Sequence, residues 1–244
     1  MLTSLYKYQT LSAYSLASLI SNTVWFAKPS TFNDPYDCSL TLDRKKFRES
    51  LDYAIAKVTQ QTLSESLTAR DLSEVRPGDV EAYDDFRNGV KALLQDIGVL
   101  CLSEVPNSML MWSHYASHHR GFCVEYDFGD DTKLKKIAHP VRYSDNIPRF
   151  SAEDLTGPNK IASIDALWLT KAECWAYEKE WRIIMPVGGK SYKAPSGIRS
   201  VIFGARMPDS DRVMVARALQ HRKELQFMEA VIEEDSFSVG IIEA

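Results

Sequence analysis

The stretch Trp181-Arg182-Ile183-Ile184-Met185-Pro186-Val187 carries a strong strand signal within a chain of 244 residues. Its aromatic and β-branched side chains favour an extended backbone. Other short apolar runs of strand character lie on both sides of it, at residues 5–8, 24–27, 98–102, 121–126, 141–143, 200–204, 225–232 and 237–242. The spacers between these runs are irregular and show no βαβ alternation, and the last two runs suit a hairpin. The sequence therefore predicts an α+β fold with a mixed, mostly antiparallel sheet core.

Residues 44–96 differ from the rest of the chain because they are rich in charge and have helical spacing, interrupted at Pro77-Gly78-Asp79. We predict that residues 1–244 form a single domain, in which 1–40 and 98–244 build the sheet core and 44–96 are a helical insertion. Three further helices are predicted: residues 16–20 with Asn22 as the stop, residues 109–119, and residues 212–221 with Asp209 or Ser210 as the N-cap.

Composition restricts the classes of function. The net charge of −4 and the pI near 5.8 argue against a broad nucleic-acid-binding face, but they allow a small basic pocket for one nucleotide. The four cysteines are widely spaced, which predicts reduced thiols rather than disulfides or a zinc site. The sequence shows no signal-peptide pattern and no apolar run of ~18 residues, so we expect a cytoplasmic protein without a membrane partner.

The first polar motif is Phe32-Asn33-Asp34-Pro35-Tyr36-Asp37, whose composition is typical of a turn. Together with Asp37, Asn33 and Asp34 could bind a metal ion or a ribose hydroxyl. They could equally satisfy their own backbone, as Asn and Asp do in turns, and the motif taken alone favours that role.

The second motif runs from Met111 to Gly121, with His114 and His118 four residues apart. A helix would place both histidines on one face, but the glutamate of a zinc-binding helix is missing, so we predict no metal site. The alternative is a half-buried helix whose histidines form local hydrogen bonds. Trp112 and Tyr115 suit either the core or a platform on which a ligand stacks.

The third motif is Trp175-Ala176-Tyr177-Glu178-Lys179-Glu180-Trp181-Arg182. If a strand begins by Glu178, then Glu178, Glu180 and Arg182 project from one face, because strand side chains alternate. Two adjacent carboxylates repel each other, which raises the pKa of one of them. This energetic cost is typical of functional sites and of carboxylates that an arginine neutralises. An active site and a structural Glu–Arg pair are both consistent with the pattern.

These three motifs occur in order with Leu5-Tyr6-Lys7-Tyr8, Gly121-Phe122-Cys123-Val124-Glu125-Tyr126 and Lys171. In that order they resemble a widespread bacterial family of uncharacterised proteins. The resemblance covers nearly the whole chain and implies no particular activity.

The order of parts also resembles, distantly, the ADP-ribosyltransferase fold, with a polar first strand, an aromatic and hydroxyl motif and a late Glu-x-Glu. That resemblance implies an enzyme acting on a nucleotide, with NAD as substrate, by ADP-ribosyl transfer to a protein or nucleic-acid acceptor or by NAD glycohydrolysis. Such activity would suit a bacterial toxin or a phage-defence effector. Lys7 stands where this fold usually has arginine or histidine on its first strand.

The same resemblance implies roles for individual side chains. The catalytic residues would be Glu180, Glu178, Tyr115 and His114, and the nucleotide-binding residues Lys7, Asn33, Asp34, Trp112 and Arg182. Glu180 would bind the ribose 2-hydroxyl and Glu178 would orient or deprotonate the acceptor. Tyr115 or Trp112 would stack on nicotinamide, and Lys7 or Arg182 would meet the diphosphate. We expect Glu180 to border a cleft rather than the core, and to be needed for chemistry more than for folding.

Two other classes of function remain open at the level of sequence. Asp34, Asp37, Glu178, Glu180 and His114 could instead gather Mg²⁺ in a metal-dependent nuclease or phosphoesterase. A module that binds a small ligand or a protein without catalysis could use the same side chains.

Overall fold

The computed structural model describes residues 2–39, 41–49, 77–129, 132–151 and 165–244, together with Asp154 and Pro158. Among those residues, no helix is both long enough and apolar enough to cross a membrane. Five α-helices have defined bounds within the described residues: α1 (Ala13–Ser21), α2 (Pro77–Gln95), α3 (Met109–Tyr115), α4 (Lys133–Ile137) and α5 (Asp209–Ala218). The strands are β1 (Ser4–Gln9), β2 (Thr23–Phe26), β3 (Thr41–Leu42), β4 (Gly98–Ser103), β5 (Phe122–Asp127), β6 (His139–Pro140), β7 (Arg142–Ser144), β8 (Arg149–Phe150), β9 (Thr170–Ala172), β10 (Glu180–Met185), β11 (Lys190–Lys193), β12 (Ile198–Phe203), β13 (Gln226–Ile232) and β14 (Val239–Glu243).

A central sheet of eight strands has the order β14-β13-β12-β5-β1-β4-β10-β6. Within this described sheet β12 and β13 are parallel, and each other neighbouring pair is antiparallel. The predicted α+β class and mostly antiparallel sheet are therefore confirmed. The predicted C-terminal hairpin is confirmed as well, because β13 and β14 pair in antiparallel register.

The sheet opens between β1 and β4. β1 pairs with β5 along all six residues from Ser4 to Gln9, whereas the fully described strands β1 and β4 pair only at Tyr6 and Ser103. Beyond that pair, β4 contacts the residue that follows β2 instead of β1, since Ala27 and Val99 exchange both backbone hydrogen bonds. This gap between β1 and β4 is called the fork below.

The two faces of the sheet carry different cores, as strand alternation requires. One face packs Leu5, Val124 and Ile183 against α1 and α5, and this is the larger core. The opposite face packs Tyr8 and Cys123 against α3 and includes Trp112, Ala116 and Ile202. Polar side chains of β4 and β10 also point to this second face.

Helix α1 borders the fork and has strong end signals. Ser12 and Ser15 form a reciprocal capping box at its first turn. Asn22 ends the helix in the left-handed conformation, with φ of 54°, so the predicted stop at Asn22 is confirmed.

Residues 44–49 and α2 are helical, and they pack together through an edge-to-face contact of Phe47 with Tyr83. Both rings belong to a third apolar cluster with Phe150 and residues 167–169, separate from the two cores of the sheet. The predicted insertion extends over residues 50–76, which lie outside the described residues. The insertion as a whole therefore stays a prediction.

The helix predicted over residues 109–119 ends at Tyr115, so the expectation that His114 and His118 share a helical face is wrong. Ser117, His118 and His119 all have positive φ, at 48°, 56° and 69°. The chain reverses here to enter β5, and the reversal packs closely on the backbone that follows β12. A Cβ added at Gly204 would lie 2.3 Å from the carbonyl oxygen of His119.

Two other predicted boundaries differ from the structure. The strand predicted to begin by Glu178 begins at Glu180, because Glu173–Glu178 form a 3-10 helix. Helix α5 begins at Asp209 with Pro208 at its N-cap, so neither Asp209 nor Ser210 is the cap. Proline suits that position because it presets the backbone angle that leads into a helix.

Candidate functional site

A cavity of about 1160 Å³ occupies the fork. Its walls come from parts of the chain that are far apart in sequence: β1, β4, α1, β2, the turn after β2, the end of α3, and the segment that leads into β10. The volume exceeds the range of about 300–1,000 Å³ that is usual for pockets holding one small ligand. It therefore suits an elongated ligand or one with two parts.

Five buried ionisable side chains lie together at one end of this cavity, and we call them the charge cluster: Asp37, Lys171, Glu178, Glu180 and Arg182. Lys171 Nζ lies 2.5 Å from Glu178, 3.1 Å from Glu180 and 3.5 Å from Asp37. Arg182 contacts Glu180 through Nε at 2.7 Å and Asp37 at 2.7 Å. Each carboxylate therefore touches at least one cation.

The backbone around Lys179 brings the two glutamates together. The 3-10 helix ends at Glu178, and Lys179 has a left-handed conformation with φ of 44° before β10 begins. Ser103 Oγ donates a 2.6 Å hydrogen bond to the carbonyl of Glu178, and the backbone N–H of Glu180 donates to Tyr143 Oη at 2.7 Å. Both carboxylates consequently reach Lys171, although they do not alternate along a single strand.

The cluster holds three carboxylates and two cations, a formal excess of one negative charge. Burial by itself raises the pKa of Glu180, but Arg182 and Lys171 outweigh it and lower that pKa to about 2. Burial raises the pKa of Glu178, and repulsion from Glu180 adds to this against the opposing effect of Lys171. Glu180 therefore stays ionised, and Glu178 is the carboxylate whose protonation changes more readily.

Three predicted site residues form the cavity wall next to Glu178. Tyr115 Oη donates a 2.5 Å hydrogen bond to Glu178, and Asn33 Nδ2 donates to the same phenol oxygen at 3.4 Å. Burial, together with Glu178, raises the pKa of Tyr115, so the phenol remains a neutral donor. His114 is exposed at the rim, where its ring lies against Tyr115, Trp175 and Tyr177.

Three of the predicted binding residues do not reach the cavity. Trp112 is fully buried, packs edge-to-face on Tyr8 and donates its indole N–H to the carbonyl of Pro106, so it is a core residue. Asp34 accepts the backbone N–H of Tyr36 and is the turn former that its motif alone favoured. Arg182 is also fully buried.

The guanidinium of Arg182 cannot meet a diphosphate as expected, because protein acceptors surround it. It donates to Glu180, Asp37, the carbonyl of Trp168 and the sulfur of Cys38. Its neighbour Glu180 lines the cavity, yet only 4% of this residue is exposed. The expectation that Glu180 borders the cleft rather than the core is therefore wrong, since it does both.

The sequence reasoning on the site did not include Lys171, and it considered Asp37 only as a group that binds a metal ion or a ribose hydroxyl. Lys171 lies on β9 and its side chain is nearly fully buried against three carboxylates. The signal in the sequence was a single lysine two residues after the apolar run Leu167-Trp168-Leu169. A buried lysine requires an acidic partner, but the sequence does not say which one.

Lys7, the remaining predicted binding residue, lies inside the fork. Its Nζ donates a 2.9 Å hydrogen bond to the carbonyl of Cys101, and its side chain lines the cavity. All four cysteines are free thiols. Among the described residues, no three histidine, cysteine, aspartate or glutamate side chains are arranged to hold a metal ion.

Residues 111–183 match a family model described as "Protein of unknown function (DUF2971)". This match fits the resemblance to an uncharacterised bacterial family, and it spans Tyr115, Lys171, Glu178, Glu180 and Arg182. No curated protein and no solved structure matches the chain.

Proposed function

We propose that the fork cavity is the active site of an enzyme that cleaves the N-glycosidic bond of NAD, releasing nicotinamide and transferring ADP-ribose to water or to an acceptor. The observation that carries this proposal is Glu178, a buried carboxylate with a raised pKa that lines a cavity large enough for a dinucleotide. Perturbed carboxylates in clefts are typical of catalytic acids and bases.

Cleavage of a nicotinamide–ribose bond develops positive charge on the ribose as nicotinamide leaves. The cluster has an excess negative charge, held in place by Lys171 and Arg182. Fixed charges of this kind stabilise a developing cation without having to reorganise. Tyr115 holds Glu178 in position from the other side.

The electron and proton balance of the proposed step is simple. The C1′–N bond breaks with both electrons leaving on nicotinamide, which departs as a neutral molecule. The oxygen of water or of an acceptor forms the new bond to C1′, and its proton passes to the carboxylate of Glu178. Glu180, held by two cations, supplies charge and positions Lys171 rather than exchanging the proton.

Nicotinamide release from NAD tests the proposal. We expect the purified protein to release nicotinamide, alone or with added protein and nucleic-acid acceptors, both with Mg²⁺ and with EDTA. Glu178→Gln should lower kcat by roughly 10²-fold or more, as when a preorganised electrostatic partner is lost. Binding of ADP-ribose, followed by calorimetry, should persist in Glu178→Gln and show that the variant is folded.

Two results would contradict the proposal. One is the absence of nicotinamide release by the wild-type protein under all these conditions. The other is nucleic-acid cleavage that requires Mg²⁺ and disappears with EDTA, which would indicate the metal-dependent alternative. Ligand binding without any turnover would instead identify a binding module.

A further inference from the structure

Two exposed aromatic side chains line the cavity from elements other than those that carry the charge cluster. Tyr14 on α1 is 88% exposed and Trp25 on β2 is 55% exposed, and both belong to the cavity wall. Strand alternation turns Trp25 away from Val24 and Phe26, which are buried in the core. Large aromatic side chains left open to solvent beside a cavity are typical of ligand-binding surfaces.

The elements that carry the aromatic pair and those that carry the charge cluster pack on opposite faces of the sheet. Helix α1 and β2 pack on the face that carries Leu5 and Leu100, whereas Tyr115 packs with the opposite face. The cavity reaches both sides because β1 and β4 separate at the fork. A ligand that contacts both Trp25 and Tyr115 would therefore lie across the fork.

A single ammonium group lies within that passage. Lys7 pairs in register with Val124, so it points toward the α1 face, and its Nζ contacts the carbonyl of Cys101 in the gap. Among the described residues, no carboxylate lies within 4 Å of this ammonium group. A cation without an acidic partner inside a cavity favours an anionic ligand group such as phosphate.

We propose that Tyr14 and Trp25 form a subsite for the second base of a dinucleotide, the adenine of NAD. The dinucleotide lies through the fork with its phosphates at Lys7 and its nicotinamide ribose at Glu178. This assignment rests on the proposed function, and it adds that the substrate is a dinucleotide rather than a mononucleotide. It also explains why the cavity is larger than one nucleotide requires.

Calorimetric titrations with AMP, ADP-ribose and nicotinamide mononucleotide test the subsite without requiring turnover. In the double variant Tyr14→Ala/Trp25→Ala, we expect AMP and ADP-ribose to bind about tenfold or more weakly, because each lost stacking contact weakens base binding. Nicotinamide mononucleotide should bind within about twofold of wild type. Tyr36→Ala is the matched control, since Tyr36 is 68% exposed and lies outside the cavity wall.

Steady-state kinetics supply the second measurement. For NAD, the double variant should have a KM raised by about tenfold with kcat nearly unchanged, because the adenine binds remotely from the broken bond. Equal affinity of wild type and double variant for AMP and ADP-ribose would overturn the subsite, as would the absence of AMP binding to wild type. A wild-type protein that binds AMP through Trp25 but never cleaves NAD would disprove the proposed activity and leave the subsite standing.

Discussion

Glu178 differs from the other carboxylates of the charge cluster in its partners. Glu180 and Asp37 both contact Arg182, which is always charged, whereas Glu178 contacts Lys171 and the neutral phenol of Tyr115. Burial raises the pKa of Glu178, while the phenol opposes that rise by donating to the ionised form. Lys171 opposes the rise more strongly, and Tyr115 adds to its effect on how readily Glu178 becomes ionised.

The substitution Tyr115→Phe should raise the pKa of Glu178 further, because it removes a hydrogen bond to a charged group, worth about 1.5–3 kcal/mol. If Glu178 must be ionised in the reaction, the acid limb of the kcat/KM profile should move to higher pH, with activity lost first at low pH. Tyr177→Phe is the control, since the Tyr177 ring contacts His114 beside Tyr115, and it should leave the limb in place. An unshifted acid limb in Tyr115→Phe would show that this hydrogen bond does not tune the reacting group.

Sequence patterns located these residues only in part. Glu178 and Tyr115 belong to motifs rich in aromatic and charged residues, which can be recognised in a single sequence. Trp112 belongs to the same motif as Tyr115, but whether a tryptophan is core or surface depends on the direction in which a short helix presents it. Asp37 meets Arg182 from 145 positions away, and no local pattern encodes that contact.

At the scale of elements, the connection between α3 and β5 is under steric constraint. Ser117, His118 and His119 all adopt the left-handed region, which costs roughly 1–2 kcal/mol for a residue with a side chain. Gly121 and Gly204 allow the backbone to approach this turn closely. The backbone N–H of Gly204 also donates to the carbonyl of Gly121 at 2.9 Å, which fixes the turn against the end of β12.

The substitution Gly204→Ala should therefore destabilise the protein by about 1–3 kcal/mol or more, because the new methyl group would overlap the carbonyl oxygens of His119 and Gly121. Gly197→Ala is the matched control, since an added Cβ there meets nothing within 4 Å. Urea unfolding measures both, and the control should stay within about 0.5 kcal/mol of wild type. Equal stability of the two variants would mean that the turn relaxes freely.

The sequence predicted elements better than it predicted their ends. The strand run at residues 181–187 and the stop at Asn22 follow from apolar runs and from a residue that tolerates positive φ. The early end of α3 and the 3-10 helix before β10 were not predicted from the sequence, because contacts with distant parts of the chain determine both. The carbonyl of Glu178 accepts from Ser103, a residue on a strand 75 positions earlier in the chain.

At the scale of the whole molecule, the charge cluster joins three distant parts of the fold. Asp37 lies in the turn region after β2, Lys171 on β9, and Glu180 and Arg182 on β10 of the central sheet. Strand order and the fork depend on such long-range contacts, so a single sequence did not reveal them. The cluster that serves the proposed chemistry is thus also part of what holds the cavity walls together.

This double role reverses the expectation that Glu180 matters little for folding. Glu180→Gln removes a buried carboxylate from both Arg182 and Lys171, and breaking one side of a buried ion pair costs about 3–5 kcal/mol. We therefore expect a lower free energy of unfolding for Glu180→Gln at pH 7, measured in urea. Glu173→Gln, an exposed site in the neighbouring 3-10 helix, should show no comparable loss.

The pH dependence of this loss distinguishes an ion-pair effect from a packing defect. The pKa of Glu180 is lowered on folding from 4.5 to about 2, so its ionised form stabilises the folded state above about pH 4.5. That contribution declines as the pH falls from about 4.5 toward 2, because the carboxylate is protonated first in the unfolded chain and then in the folded one. The stability gap between wild type and Glu180→Gln should therefore be widest near neutral pH and should narrow in acid. A gap that stays constant from pH 7 to pH 3 would mean that the substitution acts through packing, and Glu180 would not anchor the cluster electrostatically.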